Sequence, residues 1–217
     1  MNDLARTALI LFARGPQPGR VKTRLAAGLG ATEAARLYAL LLKRSLELLA
    51  RWPGPRVLAC ADPGSLAYFG DLSLAQGCTL RLQAGVDLGA RMADALAKAL
   101  TEAPQALLMG SDLLDVQFED LAAAASWLAQ DADVVLGPVA DGGYWLLGLN
   151  HPQPALLSEM RWSTSSVMQD TRQRCQSLGL RWRVLPLRHD LDRPEDLAGF
   201  EGLFGAGAPL PLMSEAD

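Results

Sequence analysis

The stretch Thr7-Ala8-Leu9-Ile10-Leu11-Phe12-Ala13-Arg14-Gly15-Pro16 indicates the fold class of this chain. Its first part is an apolar run, which is typical of a β-strand that is buried on both faces of a parallel sheet. The run stops at Arg14-Gly15-Pro16, a combination that marks the end of a strand and the start of a loop. Such a strand has to be covered by helices on both sides, so the rest of the chain should alternate helices with strands.

This alternation continues along the chain. Apolar runs predict further strands over residues 56–60, 79–82, 106–109, 133–136, 144–149 and 182–185. Apolar spacing and capping residues predict helices that begin at the caps Thr32 and Asp87, cover 118–129 and 166–178, and begin again near Pro194. We therefore expect one domain over residues 1–204, with three α/β/α layers around a mainly parallel sheet. The Gly- and Pro-rich segment 205–217 is expected to be a flexible tail.

The composition excludes several classes of protein. The 217 residues are 50% hydrophobic and 20% charged, which fits a globular protein rather than a disordered one. The net charge of −4 argues against broad nucleic-acid binding. No apolar run approaches the roughly 18 residues of a membrane span, and the amino-terminal residues lack a signal-peptide pattern, so we expect a cytoplasmic protein. Cys60, Cys78 and Cys175 form no CxxC pair, which predicts reduced, mostly buried thiols rather than a zinc site.

The net charge conceals an uneven distribution along the chain. Residues 4–32 contain no acidic side chain and carry +5, which leaves −9 for the remainder of a chain whose total is −4. Surface charges farther apart than the Debye length of about 8 Å barely influence one another at physiological salt. A local basic cluster can therefore attract an anion even on an acidic protein.

Most of this positive charge lies in the loop after the first strand, over residues 14–25. Glycines let the backbone approach a ligand closely, and neighbouring peptide N–H groups can cradle phosphate oxygens. The glycine spacing matches neither the P-loop nor the dinucleotide-binding fingerprint. We interpret the loop as a phosphate site, with a solvated basic loop as the alternative. Its candidate binding residues are Arg14, Gly15, Gly19, Arg20, Lys22, Thr23 and Arg24.

Carboxylates follow the later strands. Ser111 and Asp112 end the fourth strand, where a carboxylate is well placed to hold Mg²⁺ or Mn²⁺ against substrate phosphates, although Asp112 could instead cap a turn or helix. Asp141-Gly142-Gly143-Tyr144 is either a tight structural turn or a site where Asp141 meets a substrate hydroxyl. Asp192 precedes Pro194, which suits a helix N-cap as well as a metal ligand. Trp162-Ser163-Thr164 is a further polar turn, consistent with a cap or with acceptor contact.

Taken in order, these segments resemble a bacterial family of GT-A-type transferases. The family is described as radical-SAM/selenodomain-associated or nucleotide-diphospho-sugar transferases, and some of its members are assigned to arsenosugar biosynthesis. The matching pieces are Phe12-Ala13-Arg14 through Gly19-Arg20-Val21-Lys22-Thr23-Arg24-Leu25, Asp87-Leu88-Gly89 with Arg91-Met92, Gly110-Ser111-Asp112, Leu136-Gly137-Pro138 with Asp141-Gly142-Gly143-Tyr144, Trp162-Ser163-Thr164, and Asp190-Leu191-Asp192 with Pro194-Glu195-Asp196-Leu197. More distantly, Lys22-Thr23-Arg24-Leu25 is similar to a stretch of phospholactate guanylyltransferases and molybdenum-cofactor nucleotidyltransferases.

The resemblance implies a Rossmann-like GT-A fold that binds a nucleotide, with a divalent metal, Mg²⁺ or Mn²⁺, at Asp112. It draws attention to Gly89 and Arg91 as further diphosphate or sugar contacts. One position departs from the family pattern: Leu114 stands where its members usually have proline. A proline fixes φ, so leucine is expected to loosen the metal loop.

Two enzymatic hypotheses follow. In the first, a metal-dependent glycosyltransferase moves a sugar from a nucleoside-diphosphate sugar to a small-molecule acceptor. Lys22, Asp112 and Asp141 would be its catalytic residues, and Asp112 and Asp192 its metal ligands. In the second, a nucleotidyltransferase uses a nucleoside triphosphate and releases pyrophosphate, which needs the same cations and metal. A nucleotide-binding module without activity is a third alternative. The leucine-rich helix faces suit either an internal core or a homodimer interface, which leaves the oligomeric state open.

Overall fold

The computed structural model describes residues 3–113, 115–199 and 211–213. Its strands are β1 (Thr7–Ala13), β2 (Arg56–Cys60), β3 (Thr79–Leu82), β4 (Gln105–Met109), β5 (Val134–Pro138), β6 (Tyr144–Leu149) and β7 (Trp182–Val184). Its α-helices are α1 (Thr23–Leu29), α2 (Ala31–Arg51), α3 (Pro63–Gly70), α4 (Leu88–Glu102), α5 (Phe118–Gln130), α6 (Pro154–Leu157) and α7 (Val167–Ser177). Short 3-10 helices cover Asp3–Arg6, Ser73–Ala75 and Pro194–Gly199.

Within these residues the strands form one seven-stranded sheet in the order β3-β2-β1-β4-β6-β5-β7. Every residue of β1 except Phe12 is buried, as are all five of β4. One face of the sheet packs on α2 and α5 through residues such as Leu9 and Leu107, and the other on α4, α6 and α7 through residues such as Ile10 and Leu108. The three-layer α/β/α architecture is therefore confirmed, because successive residues of a buried strand supply opposite faces.

Strand β6 runs antiparallel to both of its neighbours, β4 and β5. The other neighbouring strands pair in parallel. The carboxyl ends of β1, β4, β5 and β7 and the amino end of β6 therefore lie along one edge of the sheet. Ligands of open α/β sheets bind beyond this edge.

Some helix boundaries differ from the prediction. Helix α2 begins at Ala31 with Gly30 as its N-cap, so the predicted Thr32 cap is wrong. The Asp87 cap is confirmed, because its carboxylate accepts a hydrogen bond of 2.8 Å from the Ala90 N–H. Among the helices that the structure describes, none combines the length and apolar character needed to cross a lipid bilayer. Leu114 and the 204/205 domain boundary lie outside the described residues.

Candidate functional site

The first part of the site is a lysine–aspartate pair between the loops that follow β1 and β4. The Lys22 Nζ lies 3.2 Å from the Asp112 Oδ2. The lysine side chain is 4% exposed and the aspartate side chain 50% exposed, so the cation is enclosed while the carboxylate faces the solvent. Lys22 has φ 47°, a left-handed conformation that a side chain makes costly. The loop thus holds a strained residue in place to present this amine.

Tyr38, on α2, connects the same two loops. The Tyr38 hydroxyl accepts a hydrogen bond of 3.2 Å from the Arg14 N–H and donates one of 3.1 Å to the Arg14 carbonyl oxygen. The same hydroxyl lies 2.9 Å from the Ser111 Oγ. Burial, and after it the charge of Asp112, raises the pKa of the Tyr38 phenol. The phenol therefore remains protonated and serves as a fixed hydrogen-bonding group between the loops.

The start of the basic loop is fixed by α3. The Gly15 N–H donates to the Ser65 Oγ over 2.9 Å, and the Arg14 guanidinium lies 3.7 Å from the Asp62 carboxylate. Asp62 also caps α3 by accepting from the Ser65 N–H over 2.8 Å. The residues that lead into the phosphate-site candidate are consequently held by side chains on two helices.

The second part of the site is acidic and follows β7. Leu191 is fully buried in a small cluster with Leu25 and Leu41, which anchors the segment that carries Asp190 and Asp192. The Asp192 carboxylate accepts from the Arg24 guanidinium over 2.9 Å. Asp190 pairs through its backbone with Leu113, directly after Asp112. Its partial burial, and next to it the charge of Asp141, raises the pKa of the Asp190 carboxyl. Carboxylates from two loops, Asp141 in the β5–β6 turn and Asp190 with Asp192 after β7, are therefore close enough to repel one another.

The third part is the turn that connects β5 with β6. The Gly143 N–H donates to the Asp141 Oδ1 over 2.8 Å, which fixes the carboxylate within its own turn. Gly142 has φ 92°, and a Cβ at this position would overlap the carbonyl of Ser165. The Gly142 carbonyl accepts from the Met168 N–H over 2.8 Å. The glycine is thus required for the turn to pack on the start of α7, and the tight-turn interpretation of this motif holds alongside any functional one.

These three parts surround three adjoining cavities. The first, which we call the Lys22 cavity, has a volume of about 270 Å³ and is lined by residues that include Arg14, Lys22, Tyr38, Gln83 and Asp112. The aromatic cleft, of about 410 Å³, is lined by Phe12, Tyr144 and Trp162 among others, and shares Asp112 with the Lys22 cavity. The acidic cavity, of about 820 Å³, contains Arg24, Asp192 and Asp196 and shares Asp141, Ser163 and Asp190 with the aromatic cleft. They form one continuous depression along the strand-end edge of the sheet.

The structure brings together most of the residues that the sequence nominated. Those that line the three cavities are Arg14, Lys22, Arg24, Ser111, Asp112, Asp141, Gly143, Tyr144, Trp162, Ser163 and Asp192. Those that do not line them are Gly15, Gly19, Arg20, Thr23, Gly89, Arg91 and Gly142.

The structure gives several of the second group another environment. Arg20 lies 3.4 Å from the Gln17 side-chain oxygen, and Arg91 donates to the Gly85 carbonyl over 3.3 Å. Gly89 is buried, and a Cβ there would lie 2.9 Å from the Trp162 indole. The close packing gives Gly89 a structural reason to be present, whereas the hydrogen bonds of Arg20 and Arg91 are exposed.

Tyr38 and Asp190 are two of the site residues that the sequence analysis did not propose as candidates. Tyr38 lies on a helix face that is otherwise core, so nothing in the sequence distinguishes it from a packing residue. Asp190 belongs to a quoted motif, but only the fold places it between Asp141 and Asp192. Asp190 could have been predicted as a site residue because it is polar and lies in the segment that follows a strand. No feature of the sequence predicts that role for Tyr38.

The fold and the site define a Rossmann-like α/β protein with a polar depression at the strand-end edge. Residues 44–164 match the profile of a family described as "Uncharacterized protein conserved in bacteria (DUF2064)", and the chain belongs to that family. None of the curated protein sequences is significantly similar to it.

Solved structures with the same fold are transferases in several cases. A Desulfovibrio desulfuricans protein, whose own assignment as a nucleotide-diphospho-sugar transferase is provisional, is similar with a TM-score of 0.86 and 29% identity, over 94% of this chain and 89% of that one. The inositol-1-phosphate CTP transferase of T. maritima has a TM-score of 0.60 and 13% identity, over 96% and 99% of the two chains. The manganese complex of Rv0371c from Mycobacterium tuberculosis has a TM-score of 0.54 and 17% identity, over 92% and 98%. The second and third likenesses establish the fold alone.

Proposed function

We propose that this protein is a metal-dependent transferase that uses a nucleotide-activated donor, with glycosyl transfer from a nucleoside-diphosphate sugar as the leading reaction. The observation that carries the proposal is the Lys22–Asp112 pair, in which a cation enclosed to 4% exposure lies 3.2 Å from a half-exposed carboxylate. A prepositioned cation is most useful where negative charge grows during a reaction, as on a departing diphosphate. The likeness to the Desulfovibrio protein supports the same donor class.

The carboxylates of the site fit a divalent ion of the kind the reaction needs. Within the described ranges, no three His, Cys, Asp or Glu side chains are arranged to hold a metal ion. Mg²⁺ usually binds through one or two carboxylates together with substrate phosphates, so a complete protein cage is not required. Burial, and after it the charges of Asp141 and Asp192, raises the pKa of the Asp190 carboxyl, and a cation would relieve the repulsion among these carboxylates. Asp112 and Asp192 would hold the ion, with Asp190 beside them, and when bound it would neutralise charge on the diphosphate.

The side chains of the site would have separate roles in this reaction. Lys22 and Arg14 line one cavity and would stabilise the phosphate oxygens of the leaving nucleoside diphosphate. The bond from the anomeric carbon to the diphosphate oxygen breaks, and a bond from that carbon to the acceptor hydroxyl forms. Asp141 lies where the acidic cavity meets the aromatic cleft and would accept the hydroxyl proton or orient the sugar.

Nucleotidyl transfer is the second candidate, because a cluster of Arg14, Lys22 and Asp112 suits a triphosphate as well as a diphosphate. The two reactions differ in their products. Release of a nucleoside diphosphate from a sugar nucleotide supports the leading reaction, whereas release of pyrophosphate from a nucleoside triphosphate supports the second.

The proposal is tested by calorimetry with nucleoside diphosphates and sugar nucleotides, with and without Mn²⁺. We expect binding that Mn²⁺ strengthens, and we expect Asp112→Ala to remove the effect of Mn²⁺. Lys22→Met should weaken nucleotide binding about tenfold or more, because a charge-assisted contact is lost. The matched control is Lys98→Met on α4, which breaks another lysine–aspartate pair, of 2.8 Å, outside the cavities. Binding that is unchanged in both Asp112→Ala and Lys22→Met would contradict the proposal.

A further inference from the structure

The aromatic cleft differs chemically from the two cavities beside it. One wall is apolar and combines Phe12 from β1, Leu88 and Met92 from α4, and Leu108 from β4. Tyr144 and Trp162 complete this wall, with their ring centroids 6.3 Å apart in an edge-on arrangement. Its volume of about 410 Å³ lies within the range of small-molecule sites, which are mostly apolar with a few polar groups.

The wall is held in place before any ligand binds. Gly89 packs so closely beneath Trp162 that a Cβ would lie 2.9 Å from the indole nitrogen. Met92 and Leu108, at 4% and 5% exposure, form a buried floor. Fixed aromatic and aliphatic side chains of this kind favour a flat ring or an alkyl chain, because apolar contact area gives the binding free energy.

Apolar surface continues beyond the mouth of the cleft. Leu88 is 42% exposed and lines both the aromatic cleft and the Lys22 cavity. Val86, two residues earlier, is 95% exposed. Single exposed apolar residues are ordinary, but here one of them borders a cleft with an apolar floor. The apolar part of a bound molecule can therefore extend from the floor to the rim.

The charges of the cleft have one sign. Among the residues the structure describes, no lysine or arginine lines it, whereas Asp112, Asp141 and Asp190 do. Arg14 and Lys22 line the Lys22 cavity, and Arg24 lines the acidic one. Apart from Lys22, which lies 3.2 Å from Asp112 at the border with the Lys22 cavity, the charged groups that a phosphate in the aromatic cleft would meet are carboxylates, and like charges disfavour each other at short range.

We propose that the aromatic cleft is the acceptor subsite, and that it takes an uncharged hydroxyl compound with an apolar ring or chain and rejects phosphorylated acceptors. This inference rests on the proposed transferase function and assigns the chemical class of its acceptor. The acceptor hydroxyl would lie at the polar end, near Asp141 and Ser163, with the apolar part against Trp162. The donor phosphates would bind on the other side of Asp112, beside Lys22.

The test compares two probes that differ only in a phosphate: phenyl β-D-glucopyranoside and its 6-phosphate. Their binding to the full-length protein is measured by ligand-observed NMR, which needs no turnover. We expect the neutral probe to bind at least about tenfold more tightly than the phosphorylated one. Trp162→Ala should weaken binding of the neutral probe about tenfold, because the aromatic wall is lost.

Two further variants keep the test independent of folding defects. Trp182→Ala removes a 37% exposed tryptophan on β7, outside the cleft, and should leave both affinities unchanged. Thr164→Lys adds a cation at an exposed position on the rim and should improve binding of the phosphorylated probe about tenfold.

Three results would overturn the inference: equal or tighter binding of the phosphorylated probe, no binding of the neutral probe at millimolar concentration, or an unchanged affinity in a folded Trp162→Ala variant. None of these measurements uses a nucleotide. A failure of the proposed function would instead be seen as absent nucleotide binding, so the two failures are distinguishable.

Discussion

At the scale of single residues, Tyr38 holds two loops of the candidate site together through its hydroxyl group. Its hydroxyl contacts Arg14 and Ser111, one from each of the loops that carry the Lys22–Asp112 pair. Neither loop is part of a helix or strand where it contacts Tyr38, so no backbone hydrogen bonds of a sheet fix the distance between the loops at that point. The Tyr38 hydroxyl fixes it instead. We regard Tyr38 as a positioning residue for the pair.

Tyr38→Phe tests this role. The ring remains and continues to pack, but Arg14 and Ser111 lose a buried partner, so the free energy of unfolding should fall by about 1–2 kcal/mol. Nucleotide affinity should fall as well, since the cation and the carboxylate are no longer held at a fixed distance. Urea unfolding and calorimetry measure the two effects. Tyr68→Phe is the control, because it removes a single exposed hydrogen bond to the Pro211 carbonyl, of 2.8 Å.

The sequence could predict Lys22 and Asp112 but not their contact. Both are polar residues at positions where strands end, and that position alone nominates them. Their distance depends on a left-handed backbone at Lys22, which no residue type in the loop predicts. Tyr38 could not be predicted for a different reason: its position on α2 satisfies the spacing of a core residue, and its hydroxyl function exists only when the two loops meet over it.

At the scale of elements, two carboxylates tie β5 to β7 at the edge of the sheet, and Asp133 makes the more extensive contact. The Asp133 side chain accepts from the Arg181 backbone N–H over 2.9 Å and from its guanidinium over 3.0 and 2.8 Å. These residues precede β5 and β7, which pair in parallel from Val134 and Trp182 onward. The hydrogen bonds from Arg181 hold the pKa of the Asp133 carboxyl well below its usual range, although partial burial opposes them. The contact thus reinforces the register of an edge strand only three residues long, together with the backbone pairing and the Asp131–Arg183 pair.

Asp133→Asn is expected to lower the free energy of unfolding by about 1 kcal/mol at pH 7. Because the folded-state pKa is depressed, this contribution is complete above the unfolded pKa of about 4 and is lost as the pH falls toward the folded value. The difference between wild type and variant should therefore shrink as urea unfolding is repeated at pH values below about 4. A difference that grows on acidification would refute the assignment. Asp131→Asn, which breaks an exposed pair with Arg183, should have a smaller effect.

Helices and strands could be predicted where the local sequence pattern agreed with the burial of the segment in the fold. Asp87 precedes an amphipathic stretch and does cap α4, and the apolar runs formed strands, of which β1, β4 and β5 are almost entirely buried whereas the edge strands β3 and β7 are not. Helix α1 was missed because it follows Lys22 without a side-chain cap. Helix α3 was missed although its signal was present, since Asp62-Pro63 is a cap followed by a first-turn proline. A single strand direction, that of β6, could not be predicted because periodicity carries no information on direction.

At the scale of the whole molecule, the described part of the carboxyl-terminal segment packs on the basic loop. The Met213 N–H donates to the Pro16 carbonyl over 3.2 Å, and its side chain, 7% exposed, covers Gly15. A side chain at Gly15 would displace the Met213 side chain. The sequence predicts a flexible tail for residues 205–217; its residues 211–213 contact the domain, and its other residues lie outside the part of the chain that the structure describes.

Met213→Ser should therefore affect the site from a distance. Replacing a buried methionine by a small polar residue is expected to cost about 2 kcal/mol of unfolding free energy. Nucleotide affinity should also decrease, because the loop that leads to Lys22 loses its packing contact with the Met213 side chain. Leu187→Ser, at a 55% exposed position, serves as the control. Equal behaviour of the two variants in thermal unfolding and in nucleotide titration would show that the segment has no such influence.

The reversed direction of β6 has a consequence for how this family could diversify. Because β6 returns antiparallel beside β5, one short connection between these strands brings Asp141, Gly143 and Tyr144 to the site as neighbours in sequence. The cations and their supports are dispersed instead, over the loops after β1 and β4 and over α2. Under the proposed transferase function, an insertion in this connection would alter the acceptor side of the site, while the cations proposed to hold the nucleotide lie on another loop. Under that same proposal, donor use is expected to be the shared trait among homologues and acceptor choice the one that diverges.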